Sequence, residues 1–391
     1  MTAYIQDAVR TPRGRAKADG GLATLKPQRL VAALIESLET RNQHARDPQA
    51  LILGSVGQVG AQGGNIALVS KLYAQLPDEA GAWTINNYCA SGLTAIGQAA
   101  NMVSTGGAAT VLAGGVEMMS RVPFMADQAD FYADADLPQR ARYVPVVIAA
   151  DRLAETEGIS REEMDAVTLA SQEKAAAAEG TGLVASRIAL NGLLRDECAR
   201  PTTAKALAAL PPAFGALAKS YSEALGGVAI DHRHTLAHAP PVADGAGLAL
   251  ITATPSGAGA RGRIVAYAES GGDPAASLTA GFRAMDLALS RASLKLADMD
   301  RIEFMEAFAV TIAKFFRDYD VDHRRVNVSG GHLAKGHPMG ATGAILLSSL
   351  LDALDDADER YGLVVVAGAS GVGAAMVIER LSTAHRRALA S

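Results

Sequence analysis

Two residues in this chain combine a reactive side chain with a local setting that can activate it. Cys89, in the run Tyr88-Cys89-Ala90-Ser91-Gly92, falls where an extended stretch gives way to a helical pattern. A helix N-terminus offers unpaired N–H groups and a partial positive charge, so it stabilises a thiolate, lowers the thiol pKa and can bind a developing oxyanion. That is the setting of a thiol nucleophile; the other reading is a cysteine acting as a small buried hydrophobe. His337 stands in Gly336-His337-Pro338-Met339-Gly340, a glycine-packed loop followed by a helix, which fixes the orientation of a ring and lets a ligand approach the backbone. It can serve as the base for a thiol or as a helix cap.

Other reactive side chains carry weaker patterns. His232, His234 and His238 in DHRHTLAH match no zinc signature in their spacing, and a polar loop accounts for them. Cys198 follows Asp196 and Glu197, whose charges disfavour a thiolate, so it reads as a surface or structural thiol. The glycine-rich run 54–64 and Gly226-Gly227 lack the P-loop lysine and the dinucleotide-binding spacing, and read as loops.

The elements around Cys89 and His337 share one grammar. Ahead of Cys89 come a strand from Ala3, a helix on which Leu30, Ala33, Leu34 and Leu38 recur at helical spacing, and an apolar run from Ala50 to Leu53. Around it, Trp83 to Ile85 reads as strand, Leu93, Ile96, Ala100 and Val103 share a helical face, and Ala109 to Ala113 reads as strand. Around His337, Arg325 to Val328 reads as a short strand, Ala344 to Leu354 as an apolar helix and Gly362 to Val366 as a buried strand. Two such units imply an α/β fold built by duplication, with mixed or parallel sheets covered by helices and a site between the halves. The periodicity weakens between them, so the chain divides into an N-terminal half over 1–117 (completed by about 244–262), an inserted loop domain over 118–243 and a C-terminal half over 263–391. The run ATPSGAGARGR, 253–263, reads as the linker.

Composition narrows the function classes. A chain of 391 residues, 49% hydrophobic, has ample material for a core, and its net charge of -5 without a Lys/Arg run offers no footprint for nucleic acid. No signal-like N-terminus and no apolar stretch of membrane-spanning length occurs, so the expectation is a cytoplasmic protein without membrane association. Two cysteines make no disulfide framework and stay reduced in that compartment.

Taken together, Tyr88-Cys89-Ala90-Ser91-Gly92-Leu93, AGGVEMMSRVP at 113–123, MEAFA at 305–309 and GGHLAKGHPMGATGA at 330–344 resemble the motifs of the thiolase superfamily in order and spacing. The likeness spans nearly the whole chain, from DAVRTPRGR to GVGAAMVIER, and is greatest to the acetyl-CoA acetyltransferase and 3-ketoacyl-CoA thiolase branch of fatty-acid β-oxidation. It implies a duplicated five-layered αβαβα fold with an inserted loop domain, assembled as a homodimer or homotetramer. It also implies an acyl-CoA acyltransferase with no permanently bound cofactor and no metal, a coenzyme A thioester being the substrate. Cys89 matches the nucleophile that becomes acylated, and His337 the histidine that takes its proton. The backbone N–H groups of Cys89 and Ala369 match the oxyanion hole.

Three positions depart from that pattern. Ala367 stands where the family has the cysteine that moves the α-proton of the second acyl group. Met305 stands where an asparagine holds a water, and a thioether cannot donate that hydrogen bond. Pro240 stands where a serine contacts the pantetheine arm, and has neither hydroxyl nor N–H. Acylation of Cys89 needs only nucleophile, base and oxyanion hole, whereas condensation needs a base for the α-carbon. The sequence therefore favours acyl loading, with transfer to a non-CoA acceptor or carrier-protein thiol as one alternative and a degenerate, non-catalytic subunit as another. Retention of Cys89 and His337 argues against the last.

Overall fold

The computed structural model of the chain describes residues 1–255 and 259–381. Its strands are β1 (Tyr4–Arg10), β2 (Gly14–Arg15), β3 (Ala50–Gly54), β4 (Gly81–Ile85), β5 (Thr110–Met118), β6 (Ala243–Thr252), β7 (Gly262–Gly271), β8 (Arg301–Phe304), β9 (Tyr361–Gly368) and β10 (Val372–Arg380). Its α-helices are α1 (Pro27–Arg41), α2 (Ile66–Tyr73), α3 (Ser91–Ser104), α4 (Val146–Thr156), α5 (Arg161–Ala178), α6 (Ala204–Ala208), α7 (Gly215–Lys219), α8 (Ala280–Ala292), α9 (Ala309–Asp318), α10 (His332–Lys335) and α11 (Thr342–Ala357).

The strands hydrogen-bond in the order β4-β3-β5-β6-β1-β7-β10-β9-β8. β3 pairs in parallel with β4 and β5, after which β5, β6 and β1 run antiparallel; β8 and β9 are parallel, after which β9, β10 and β7 run antiparallel. The second half thus repeats the strand order of the first. Among the described residues the two ladders join at Tyr4↔Arg263 and Ile5↔Gly262. β3 and β6 are buried along their whole length, the pattern of strands covered on both faces. Helices α1 and α2 cover the first ladder, α8 covers the second, and α3 packs against α11 between them. That central contact is tight: a Cβ on Gly343 of α11 would lie 2.4 Å from the backbone N of Leu93 in α3.

The expected strand at Arg325 to Val328 is corrected. His323–Arg325 is a 3-10 turn, and the pairing shrinks to one parallel bridge, Ile302↔Val326, where the first half has β4 beside β3. Asn327 is the reason. Its backbone is left-handed at φ 47°, and its side chain takes over the ladder, accepting from Phe304 N (2.8 Å) and donating to Phe304 O (2.9 Å). The long excursion between β5 and β6 carries α4 to α7. The expected linker falls partly outside the described residues, at 256–258, and ends at Arg261 because β7 begins at Gly262.

Candidate active site

Cys89 lies in the loop between β4 and α3, two residues before the helix begins. The turn is tight enough that Tyr88 adopts φ 45°, a left-handed backbone unusual for a residue with a side chain. His337 arrives from the other half, following Gly336, whose φ of 93° and a would-be Cβ 2.9 Å from Ala243 both require glycine. Its backbone N–H donates to Pro241 O (2.8 Å), and the carbonyl of Gly336 accepts from the buried Arg13 guanidinium (2.8 Å). With its loop held at both ends, His337 Nε2 sits 3.2 Å from Cys89 Sγ.

On the far side of the ring, Nδ1 lies 2.8 Å from the hydroxyl of Thr342, the first residue of α11. The Thr342 hydroxyl can accept the ring proton from Nδ1, and in that tautomer Nε2 is the acceptor facing the thiol. Burial and the neighbouring Arg13 charge hold His337 down at about 3, so it is neutral. Sequence reasoning missed Thr342; its only signal was a hydroxyl at the start of the helix that follows GHP. Glu306, also missed, anchors the same region by accepting from Ser171 Oγ (2.8 Å), Asn327 Nδ2 (3.0 Å) and Leu333 N (2.9 Å).

The expected low thiol pKa is corrected. Burial and the nearby Glu117 carboxylate push Cys89 up to about 12, outweighing the N–H groups of Ala369 and of Cys89 itself that reach its sulfur. The resting pair is a neutral thiol hydrogen-bonded to a neutral imidazole, not an ion pair. Such a thiol becomes nucleophilic when Nε2 takes its proton during attack.

The pair opens into a cavity of about 160 Å³ with apolar walls that include Phe124, Val146, Leu278 and Met339. Ala367, Met305 and Pro240 all line it. None adds an acid or base, and the ionisable side chains lining the cavity are Tyr88, Cys89 and His337. Burial raises the Tyr88 pKa, outweighing the opposing hydrogen bond with Ser370.

The other marked residues lie elsewhere. His234 and His238 are fully buried, which corrects the polar-loop reading: His232 and His234 each place Nδ1 2.7 Å from Asp151, and His238 places Nε2 2.7 Å from Asp165. Among the described residues no three His, Cys, Asp or Glu side chains converge as a metal site. Cys198 is buried against Gly336, not at the surface, and desolvation pushes its thiol up to about 11.

Comparison with known proteins fits this arrangement. The family model for the thiolase N-terminal domain matches residues 3–254, and that for the thiolase C-terminal domain matches residues 259–380. A 3-ketoacyl-CoA thiolase of Shewanella baltica is 35% identical over 400 residues, covering 97% of this chain and 99% of that protein. A 3-ketoacyl-CoA thiolase of Erwinia tasmaniensis is 35% identical over 398 residues, covering 96% and 99%. The crystal structure of the Bacillus anthracis acetyl-CoA acetyltransferase superposes with a TM-score of 0.82 at 28% identity, covering 97% of this chain and 99% of that one. The chain belongs to the thiolase family of acyltransferases.

Proposed function

We propose that the protein takes an acyl group from an acyl-CoA onto Cys89 and passes it to a second substrate, with His337 as the base and the N–H groups of Cys89 and Ala369 as the oxyanion hole. The observation that carries this is the 3.2 Å contact between Cys89 Sγ and His337 Nε2 at the floor of an apolar cavity, with two backbone N–H groups on the sulfur. Sγ attacks the thioester carbonyl as its proton passes to Nε2. The tetrahedral oxyanion faces the two N–H groups, and the CoA thiolate leaves, taking the proton from His337. The apolar wall accepts a hydrocarbon acyl chain. Coenzyme A enters as substrate and product, and no permanently bound cofactor is part of this scheme. The excursion over 118–243, which supplies Phe124, Val146 and Pro240 to the cavity, acts as a substrate-covering loop domain inserted in the N-terminal half (1–117, completed by about 244–262), ahead of the C-terminal half 263–391.

A second reading of the acceptor is favoured by Ala367, Met305 and Pro240 in the cavity lining. Beyond Tyr88, they leave no ionisable side chain in the cavity lining for removing an α-proton other than those that load the acyl group. Transfer to a heteroatom acceptor or a carrier-protein thiol requires no such proton and so suits these walls better than condensation.

The assembly is a homodimer or homotetramer in this reading. Leu72, Tyr73 and Trp83 are exposed on α2 and on β4, which ends the sheet, and they give a second copy an apolar surface to cover. The location is cytoplasmic, supported by two free cysteines; among the described residues no helix is long and apolar enough to cross a membrane.

The test is intact-protein mass spectrometry after incubation with a panel of acyl-CoAs, followed by CoA, acyl-CoA, amine or carrier-thiol acceptors. A mass increase equal to the acyl group, discharged by one acceptor class, is the expected result. No adduct with any acyl-CoA overturns it.

A further inference from the structure

Glu117 is the last-but-one residue of β5 and is fully buried. A lone carboxylate in an apolar core is costly unless hydrogen bonds compensate it. Here four donors converge on it: Val56 N (2.9 Å), Gly57 N (3.1 Å) and Gln62 Nε2 (2.6 Å) from the segment after β3, and Gly340 N (2.9 Å) from the loop that carries His337. Every partner donates, which suits a carboxylate that only accepts, and these donors oppose the burial that raises the Glu117 pKa. Gln62 is itself fixed by accepting from Met118 N (2.6 Å) and donating to Gly57 O (2.8 Å).

Gly340 is pressed into place by the same contact. A Cβ there would lie 2.8 Å from Ser55 and 2.9 Å from Glu117 Oε2, and its carbonyl lies 2.7 Å from where a Cβ on Gly92 would stand, at the start of α3. Gly92 is three residues from Cys89, and Gly340 three from His337. One carboxylate thus joins the two halves of the molecule beside both reacting side chains.

From this geometry we propose that Glu117 is a positioning residue that clamps the His337 loop against the Cys89 turn. The proposal rests on Cys89 and His337 being the reacting pair. Titratable groups around Cys89 are Glu117 from β5, His337 from the loop after α10, the adjacent Tyr88, and Tyr143 ahead of α4. Of these, Glu117 opposes the thiolate most, after burial itself.

The experiment compares wild type, Glu117→Gln and Glu117→Asp, each verified as folded by circular dichroism. It reads acyl loading by mass spectrometry and the pH dependence of Cys89 alkylation by iodoacetamide. Glu117→Gln removes the charge and turns one acceptor into a donor facing N–H groups. Loading is expected to fall by about 10-fold or more, since a misplacement of about 1 Å can cost 10²-fold, while the alkylation profile moves to lower pH. Glu117→Asp keeps the charge on a shorter arm, so loading falls and the alkylation profile stays at wild type. Should Glu117→Gln not fold, Gln62→Leu deletes the 2.6 Å donor to Glu117, along with Gln62's own bonds to Met118 N, Gly57 O and Ser55 Oγ, and is expected to slow loading several-fold. Unchanged loading in the folded variants overturns the proposal, as does slower loading in Glu117→Gln with an unmoved alkylation profile, which marks a merely structural role. Loading that survives in Cys89→Ala defeats the reading of the reacting pair instead, so the two failures are distinct.

Discussion

His337 Nε2 lies 3.2 Å from Cys89 Sγ although 248 residues separate them in the chain. Each residue belongs to a different half of a duplicated fold, and each half delivers its residue on the loop that leads into one of the two central helices, α3 and α11. The seam between the halves is therefore also the reaction centre.

Acyl loading should depend on Cys89 alone. Incubation with an acyl-CoA followed by intact mass measurement is expected to show the adduct in wild type and in Cys198→Ala, and none in Cys89→Ala. Cys198 is buried against Gly336, and desolvation pushes its thiol up to about 11. An adduct on Cys89→Ala would defeat the mechanism.

Replacing His337 by alanine should slow loading by about 10²-fold or more, the usual effect of losing a general base. Thr342→Val, which removes the partner of Nδ1, should slow it by roughly 2- to 10-fold, the effect of one hydrogen bond. Because His337 is held at about 3 and Cys89 at about 12, the wild-type loading rate should be flat from about pH 5 to about pH 8. In His337→Ala the thiolate must form unaided, so the rate should climb with pH across that range. A wild-type profile that bends near pH 6.5 would mean that the imidazole titrates freely and is not buried as described.

Condensation chemistry should be weak. Ala367 and Met305 face the cavity without an acid/base or a hydrogen-bond donor on their side chains. Ala367→Cys with Met305→Asn should raise thiolysis of acetoacetyl-CoA more than either change alone, since both act on one transition state and need not add. Wild-type turnover of acetoacetyl-CoA and CoA at an ordinary enzymatic rate, about 1–10³ per second, would refute this.

Asp151 should be a stability residue that also shapes the cavity. Its carboxylate accepts from Arg233 N (3.0 Å) and His234 N (2.8 Å) and contacts Nδ1 of both His232 and His234. That fixes the segment leading to Pro240 and Val242, two wall residues. Asp151→Ala leaves those groups buried without an acceptor and should lower the unfolding free energy by about 3–5 kcal/mol in denaturant titrations. Burial alone pushes the Asp151 carboxyl up, but the hydrogen bonds from His234 and His232 outweigh it and hold it below its ordinary value. A depressed carboxyl stabilises the fold above its unfolded pKa, and that contribution is lost only as pH falls below about 4. A variant as stable as wild type at pH 7 would show that the histidines find other partners.

The sequence by itself was enough to locate the chemistry. A cysteine between a strand and a helix, a histidine in a glycine-packed loop before another helix, and the repeated grammar around them are local patterns, and local patterns survive in one dimension. Ala367, Met305 and Pro240 could be picked out for the same reason, because each occupies a defined place within a short motif. What needed three dimensions is everything set by neighbours distant in the chain. The thiol is protonated because burial and Glu117 outweigh the helix-start N–H groups. The imidazole is neutral because burial and Arg13, more than 300 residues earlier in the chain, depress it. The expected strand at Arg325 to Val328 gave way to the Asn327 side chain, and the polar-loop histidines proved to be buried bolts on Asp151 and Asp165. Desolvation and hydrogen-bond partnership depend on which distant segments fold against a residue, and no spacing rule along the chain carries that information.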